Sequence, residues 1–140
     1  MAIYGWSENL ATGMAHMDAD HQRLIEMISK LEEISQGHET REDVHKILLA
    51  LIDYAKYHTA REERLMQQIN YKSAGPHKFE HAVFVNKINE FLDAFNDGKD
   101  ISQDMTRFLY RWLIDHINKV DKLLVWSLAN LDMPGVTDIS

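Results

Sequence analysis

Apolar side chains recur at three- and four-residue spacing through four long stretches of the chain, the period of an amphipathic α-helix. The first stretch runs from about Asp18 to Gln36, with the stripe His21, Leu24, Ile25, Ile28, Leu31, Ile34. Asp18 stands where an N-cap belongs and Gly37 where a C′ residue belongs. The second runs from Arg41 to Ile69 behind the cap Thr40, with Asp43 in its first turn. Its stripe is Val44, Ile47, Leu48, Leu51, Ala55, His58, Glu62, Leu65, Ile69. The third opens at Pro76, a residue suited to position N1, and reaches Asn96 before Gly98. Its stripe is His77, His81, Phe84, Ile88, Phe91, Phe95. The fourth extends from Ser102 to about Leu128 along Leu109, Trp112, Leu113, His116, Ile117, Val120, Leu124.

Four such helices joined by short loops predict an all-α fold, an antiparallel up-down-up-down four-helix bundle. Residues 1–17 are expected to form an N-terminal arm, with Tyr4 and Trp6 lying along the bundle. The bundle itself is expected over 18–130, and 131–140 reads as a frayed C-terminal tail. No internal repeat or second domain breaks the pattern.

Composition narrows the function. At 140 residues, 45% hydrophobic and 26% charged, the chain is an ordinary globular domain long enough to bury a core. No apolar run approaches the roughly 20 residues that span a bilayer. The absence of cysteine excludes a disulfide framework, thiol catalysis and thiolate-built metal sites. A net charge of −7 argues against nucleic acid or an anionic membrane as partner. Met1–Leu10 lacks a basic start followed by an apolar stretch, so a cytoplasmic location is expected.

Histidine changes the picture. Of the eight histidines, His21, His58, His77, His81 and His116 fall on the apolar stripes, and every helix contributes at least one. Glu62 follows His58 by four residues and His81 follows His77 by four. That spacing returns each pair to one helix face, one turn apart, where both side chains can chelate one metal. Counting about 1.5 Å per residue along antiparallel helices brings all six groups to one level, near the second loop. One core histidine is ordinarily a satisfied structural residue. Five imidazoles and a carboxylate at one depth are different. Each buried without a partner costs about 1–3 kcal/mol, against a whole-domain stability of about 5–15 kcal/mol. A metal centre resolves the conflict. Imidazole and carboxylate without thiolate suit iron, manganese or zinc, and five imidazoles exceed what one ion takes, so two ions are expected. Glu62 is placed to bridge them, and a second bridging acid is expected on the fourth helix, from Asp121 or Asp115.

The series His21, His58-Thr-Ala-Arg-Glu62, His77-Lys-Phe-Glu-His81 and His116-Ile-Asn-Lys-Val-Asp121 resembles the hemerythrin family in its bacterial branch. Trp6, Asp18-Ala-Asp-His21, Glu62-Glu63-Arg-Leu-Met66 and Trp112-Leu-Ile-Asp-His116 extend the likeness, which covers about Trp6 to Leu128. The resemblance implies a non-haem di-iron centre that binds O2 reversibly. By position, His77, His81 and His116 would hold one iron, and His21 and His58 the other. Glu62 and Asp121 would bridge the pair beside an oxo or hydroxo bridge, with one position on the two-histidine iron left open for O2. Such a centre needs no outside reductant to bind or release O2, and no enzyme activity is implied. Histidine-rich ligation also puts less negative charge on the irons than carboxylate-rich sites do, which disfavours the high oxidation states of C–H attack. Leu24, Ile25, Trp112, Leu113 and Ile117 could wall a dry O2 pocket, or simply be core.

Asp121 lies five residues after His116, about 140° around an ideal helix. Either the two side chains reach in from opposite flanks, or the helix has a locally wide turn. Three residues depart from the family pattern. Thr59 stands where Phe is common, which would put a hydroxyl in the O2 pocket if that position faces it. Asp20 stands where Gln is frequent, and reads as a first-turn acid favoured by the helix dipole. Tyr71 lacks a following Pro. His16, His38 and His45 are expected in solvent, and Met14, Met17, Met27, Met66 and Met105 in packing rather than ligation. Oxygen carriage, storage or delivery is the leading function. O2 or redox sensing, and peroxide or nitric oxide detoxification, are the alternatives. The partner, an O2-consuming enzyme or a signalling protein, is unspecified. A monomer is expected, since no broad apolar stripe lies on the outer helix faces.

Overall fold

The computed structural model describes residues 5–34 and 40–130. All regular structure among them is helical. A short 3₁₀ turn, Glu8–Leu10, precedes α1 (Ala15–Glu33), α2 (Arg41–Gln68), α3 (Ala74–Asn96) and α4 (Ser102–His116). A π-helical turn over Ile117–Asp121 then leads directly into α5 (Lys122–Asn130). The backbone stays right-handed helical through both junctions, so α4, the π turn and α5 form one rod. Helices α1 and α2, α2 and α3, α3 and α4, and α4 and α1 pack against each other, closing a four-membered ring. No helix of the described residues is long and apolar enough to cross a membrane.

The helix ends follow local chemistry. Thr40 and Asp43 make a reciprocal capping box, the Thr40 hydroxyl accepting from Asp43 N–H at 3.2 Å and Asp43 accepting from Thr40 N–H at 3.1 Å. Two expected starts shift. Helix α1 begins at Ala15, so Ala15–Met17 are helical rather than arm, and Asp18 is not its cap. Asp18 instead reaches back and accepts hydrogen bonds from Thr12 N–H and hydroxyl, both at 2.8 Å, and from Gly13 N–H at 3.2 Å. Helix α3 begins at Ala74, placing Pro76 third in the helix, where its missing N–H still has no intrahelical partner to lose. The Gly37 cap, His38, Tyr4 and the expected tail 131–140 lie outside the described residues.

The arm residues that are described lie on the bundle. Leu10 is buried and Trp6 packs against the main core. Tyr110 donates to the Gly5 carbonyl at 3.2 Å, and Lys122 to the Asn9 carbonyl at 2.6 Å. The interior has two separate apolar clusters. The larger runs through Leu24, Ile28, Leu31, Leu48, Leu51, Ile88, Leu109 and Leu113. The smaller is built on Met17, Met66 and Leu124. Between them lies the level of the five stripe histidines. His45 departs from expectation: it is half-buried, stacked on Phe95 at 5.6 Å between ring centres.

Asp18→Ala removes the tie between arm and α1. It is expected to cost about 1–2 kcal/mol by urea unfolding of the metal-free protein and to open the arm to limited proteolysis.

Candidate metal centre

Each helix delivers its ligands because the stripe that seeks the core is interrupted by polar groups at one level. Helix α1 supplies His21, α2 supplies His58 and Glu62 one turn apart, and α3 supplies His77 and His81 one turn apart. The last rod supplies His116 and Asp121 across the π turn. That turn decides between the two readings of the five-residue spacing. Its i→i+5 bonding, seen in Lys122 N–H to the Ile117 carbonyl, brings Asp121 onto the face of His116. Asp115 is exposed and stands away from the cluster.

All seven side chains are buried, and their nitrogen and oxygen atoms converge in two groups. One contains His77, His81, His116, Glu62 and Asp121, the other His21, His58, Glu62 and Asp121, with the chosen atoms of each group all within 4.8 Å of one another. Glu62 Oε1 faces His77 at 3.0 Å and His81 at 3.1 Å, while its Oε2 faces His58 at 2.7 Å. Asp121 Oδ1 faces His77 at 3.2 Å and His116 at 3.1 Å, while its Oδ2 faces His21 at 3.0 Å. Each carboxylate therefore turns one oxygen to each group, the arrangement a bridging ligand needs.

The residues fit a metal pair. His21 Nε2, His116 Nε2, Glu62 Oε2 and both Asp121 oxygens are buried with no hydrogen bond. They approach each other closely but not along hydrogen-bonding directions, so their lone pairs point at shared space. Orphaned polar atoms in that number would be costly without ions to collect them. Imidazole and carboxylate donors suit iron, manganese or zinc.

Without a metal, protons do part of the work. Burial opposes charge on His58, but the hydrogen bond to Asp20 and the Glu62 carboxylate beside it outweigh burial and raise the imidazole to about 10. Burial is likewise overcome at His77, which Asp121 and Glu62 raise to about 9. Glu62 and Asp121 are held below the usual carboxylate range despite burial, chiefly by the surrounding histidines.

Three acids outside the ligand set hold ligand rings. Asp20 accepts from His58 Nδ1 at 2.9 Å, Glu63 from His81 Nδ1 at 3.0 Å, and Glu80 from His116 Nδ1 at 2.8 Å. Each bond leaves Nε2 facing the centre and fixes the ring's orientation. Asp20 is thus no first-turn dipole partner. It is 4% exposed, in the second turn of α1, and also accepts from Tyr54 at 2.9 Å with Arg61 at 3.4 Å. Burial opposes the charge of Asp20, but the bonds from His58 and Tyr54 hold its carboxyl below the usual range. Sequence reasoning missed these roles, although a signal was available. Each acid is the chain neighbour of a ligand, Asp20 of His21, Glu63 of Glu62 and Glu80 of His81, and each serves a histidine on the adjacent helix.

Of the residues expected to wall a pocket, Leu24, Ile25, Leu113 and Ile117 are buried in the larger cluster beside the centre. Trp112 is half-buried and sandwiched, 4.4 Å from His116 and 4.1 Å from Phe84 between ring centres. It therefore braces the three-histidine side. Thr59 is buried, and its hydroxyl donates to the Lys56 carbonyl at 3.2 Å. His16 is exposed.

Comparison with known proteins places this geometry. The family model of the hemerythrin HHE cation-binding domain matches residues 12–125. A bacteriohemerythrin of Methylococcus capsulatus is 35% identical over 125 residues, covering 88% of this chain and 95% of its own. One of Pseudomonas aeruginosa is 34% identical over 121 residues, 86% of this chain and 78% of its own. The crystal structure of a wild-type hemerythrin superposes with a TM-score of 0.85 at 34% identity, over 91% of this chain and 99% of that one.

Asp20→Ala is expected to weaken metal at the His21/His58 group by about 10–100-fold while sparing the three-histidine group, as read by competitive chelator titration. A pH dependence follows too. The raised histidines stabilise the metal-free fold fully below their ordinary 6.5, and this is lost as pH climbs towards 10. The lowered acids stabilise it above their ordinary values, 4.5 for Glu62 and 3.8 for Asp121, and this is lost on acidification. Thermal melts in chelator should peak between those values, and metal should move the optimum upward because bound imidazoles are neutral.

Proposed function

The chain belongs to the hemerythrin family, and on that premise we propose that it binds O2 reversibly at a pair of iron ions and carries, stores or delivers oxygen. The observation that carries the reading is the pair of carboxylates shared between two buried histidine groups. His77, His81 and His116 would hold one ion and His21 and His58 the other, with Glu62 and Asp121 common to both. Such a pair would supply the reversible two-electron chemistry that O2 binding needs.

What the chain's own residues contribute is numbers of donors, orientation and dryness. The His21/His58 group offers one donor fewer than its neighbour, so the position for an outside ligand belongs there. The orientation of its His58 ring rests on Asp20, which Tyr54 and Arg61 hold in turn. Leu24, Ile25, Leu113 and Ile117 exclude water from the larger-cluster side. A dry, histidine-rich environment favours binding over turnover, since protons that would discharge reduced oxygen are kept out.

The test is to load the protein with iron, reduce it under nitrogen, and record visible spectra before and after admitting air. Two irons per chain and a colourless form that turns pink and fades on purging are expected. Prompt, irreversible yellowing would overturn carriage in favour of redox sensing or peroxide or nitric oxide chemistry. Thr59→Phe, by replacing a hydroxyl with an apolar ring at the position after His58, is expected to slow air oxidation of the centre. An unchanged or faster rate would show that position 59 does not limit water.

A further inference from the structure

The three acids that hold ligand rings from outside differ in their access to water. Glu63 and Glu80, 35% and 42% exposed, bond to His81 and His116 of the three-histidine group. Asp20 is buried and bonds to His58 of the other group, its Oδ2 accepting from Nδ1 at 2.9 Å. His21 Nδ1 and His77 Nδ1 are buried with no hydrogen bond. Each group therefore has one ring without an outer partner. The two-histidine group has a single outer acid, and that acid is the one shielded from water.

Shielding makes the difference one of charge as well as orientation. An imidazole bound to a metal through Nε2 keeps its Nδ1 proton, and a carboxylate that accepts this proton makes the ring a stronger donor. The reach of a charge falls as the dielectric around it rises, so the effect is weakest for Glu63 and Glu80 and strongest for Asp20. The Asp20 carboxylate has its own supports. Tyr54 donates to Oδ1 at 2.9 Å, leaving Oδ2 for His58, and the Arg61 guanidinium stands 3.4 Å from Oδ2. Arg61 also donates to the Tyr57 hydroxyl at 3.1 Å and is 33% exposed, so it offsets the charge of Asp20 only in part.

We propose that the Asp20 carboxylate, acting through His58, sets how firmly the two-histidine ion holds its electrons, and with that how tightly the centre holds O2. Asp20 is thus a positioning residue with an electronic role, and no ligand itself. The O2 half of the proposal rests on the reading of the centre as an iron pair that binds O2. A stronger donor favours the oxidised ion, and O2 binding draws electrons from the ions. The charge of Asp20 therefore lowers the reduction potential and slows O2 release, and Arg61 works against it.

Asp20→Asn separates charge from orientation, because the amide oxygen can still accept from His58 Nδ1–H. The variants are loaded with iron, checked for two irons per chain, and titrated for midpoint potential under nitrogen. Asp20→Asn is expected to raise the potential, and by more than Glu63→Gln or Glu80→Gln does. Arg61→Gln is expected to lower it. An unmoved potential in Asp20→Asn would overturn the proposal, as would a shift no larger than that of the two glutamate variants. So would shifts of the same sign in Asp20→Asn and Arg61→Gln, since a residue that only holds the ring loosens it in both. Stopped-flow on the oxygenated protein then reads the O2 half. Release is expected to be several-fold faster in Asp20→Asn and slower in Arg61→Gln, and release rates that ignore the potential would overturn that half. Potentials that shift as expected in a protein that never oxygenates reversibly would sink the O2 reading and leave the role of Asp20 standing. Unmoved potentials in a protein that does oxygenate would do the reverse.

Discussion

Taking five imidazoles and two carboxylates out of water at one level of a helix bundle is the constraint on which the rest of this molecule depends. The groups are buried, several of their atoms have no hydrogen bond, and their charges oppose burial. Left alone, they would offset much of the stability a domain of this size has. The arrangement stays folded because the two acids neutralise the histidines when metal-free, and the same atoms can collect ions. Proton and metal therefore compete for one set of lone pairs, and the fold is conditioned by which of them is present.

The apolar structure is organised around that layer. Stripe residues one turn before and after each ligand form two clusters that close on it from either side, Leu24, Ala55, Phe84 and Leu113 on one, Met17, Met66 and Leu124 on the other. Among the described residues, this sandwich is what keeps the layer dry. The difference in thickness between the two clusters gives the molecule a direction, with a deep core at one end and thin, methionine-rich cover at the other.

The outer acids introduce a second asymmetry. Glu63 and Glu80, 35% and 42% exposed, hold the rings of His81 and His116 from the solvent side. Asp20 holds His58 from inside, and is itself fixed by Tyr54 and Arg61. His58 thus has a better-shielded support than His81 or His116. Rigid support matters most where a coordination position is to remain open, because an unfilled site has fewer bonds of its own to define it.

The sequence by itself determined the helices and the level at which the candidate ligands gather. These depend on the 3.6-residue period and the rise per residue, both local and fixed by backbone geometry. The stripe positions of His21, His58, Glu62, His77, His81 and His116 were legible for that reason, and the family likeness chose Asp121 over Asp115 as the second acid. Tertiary structure decided what lies between helices or departs from the regular period. The π turn could not be read from a five-residue spacing that two geometries satisfy. The true start of α1 depended on Asp18 bonding back to Thr12 rather than capping. Asp20 read as a first-turn acid of the helix dipole until α2 packed His58, Tyr54 and Arg61 around it. The partner of each ligand ring sits on a neighbouring helix, and only the packing of helix on helix sets such pairs, since no spacing along one chain segment encodes them.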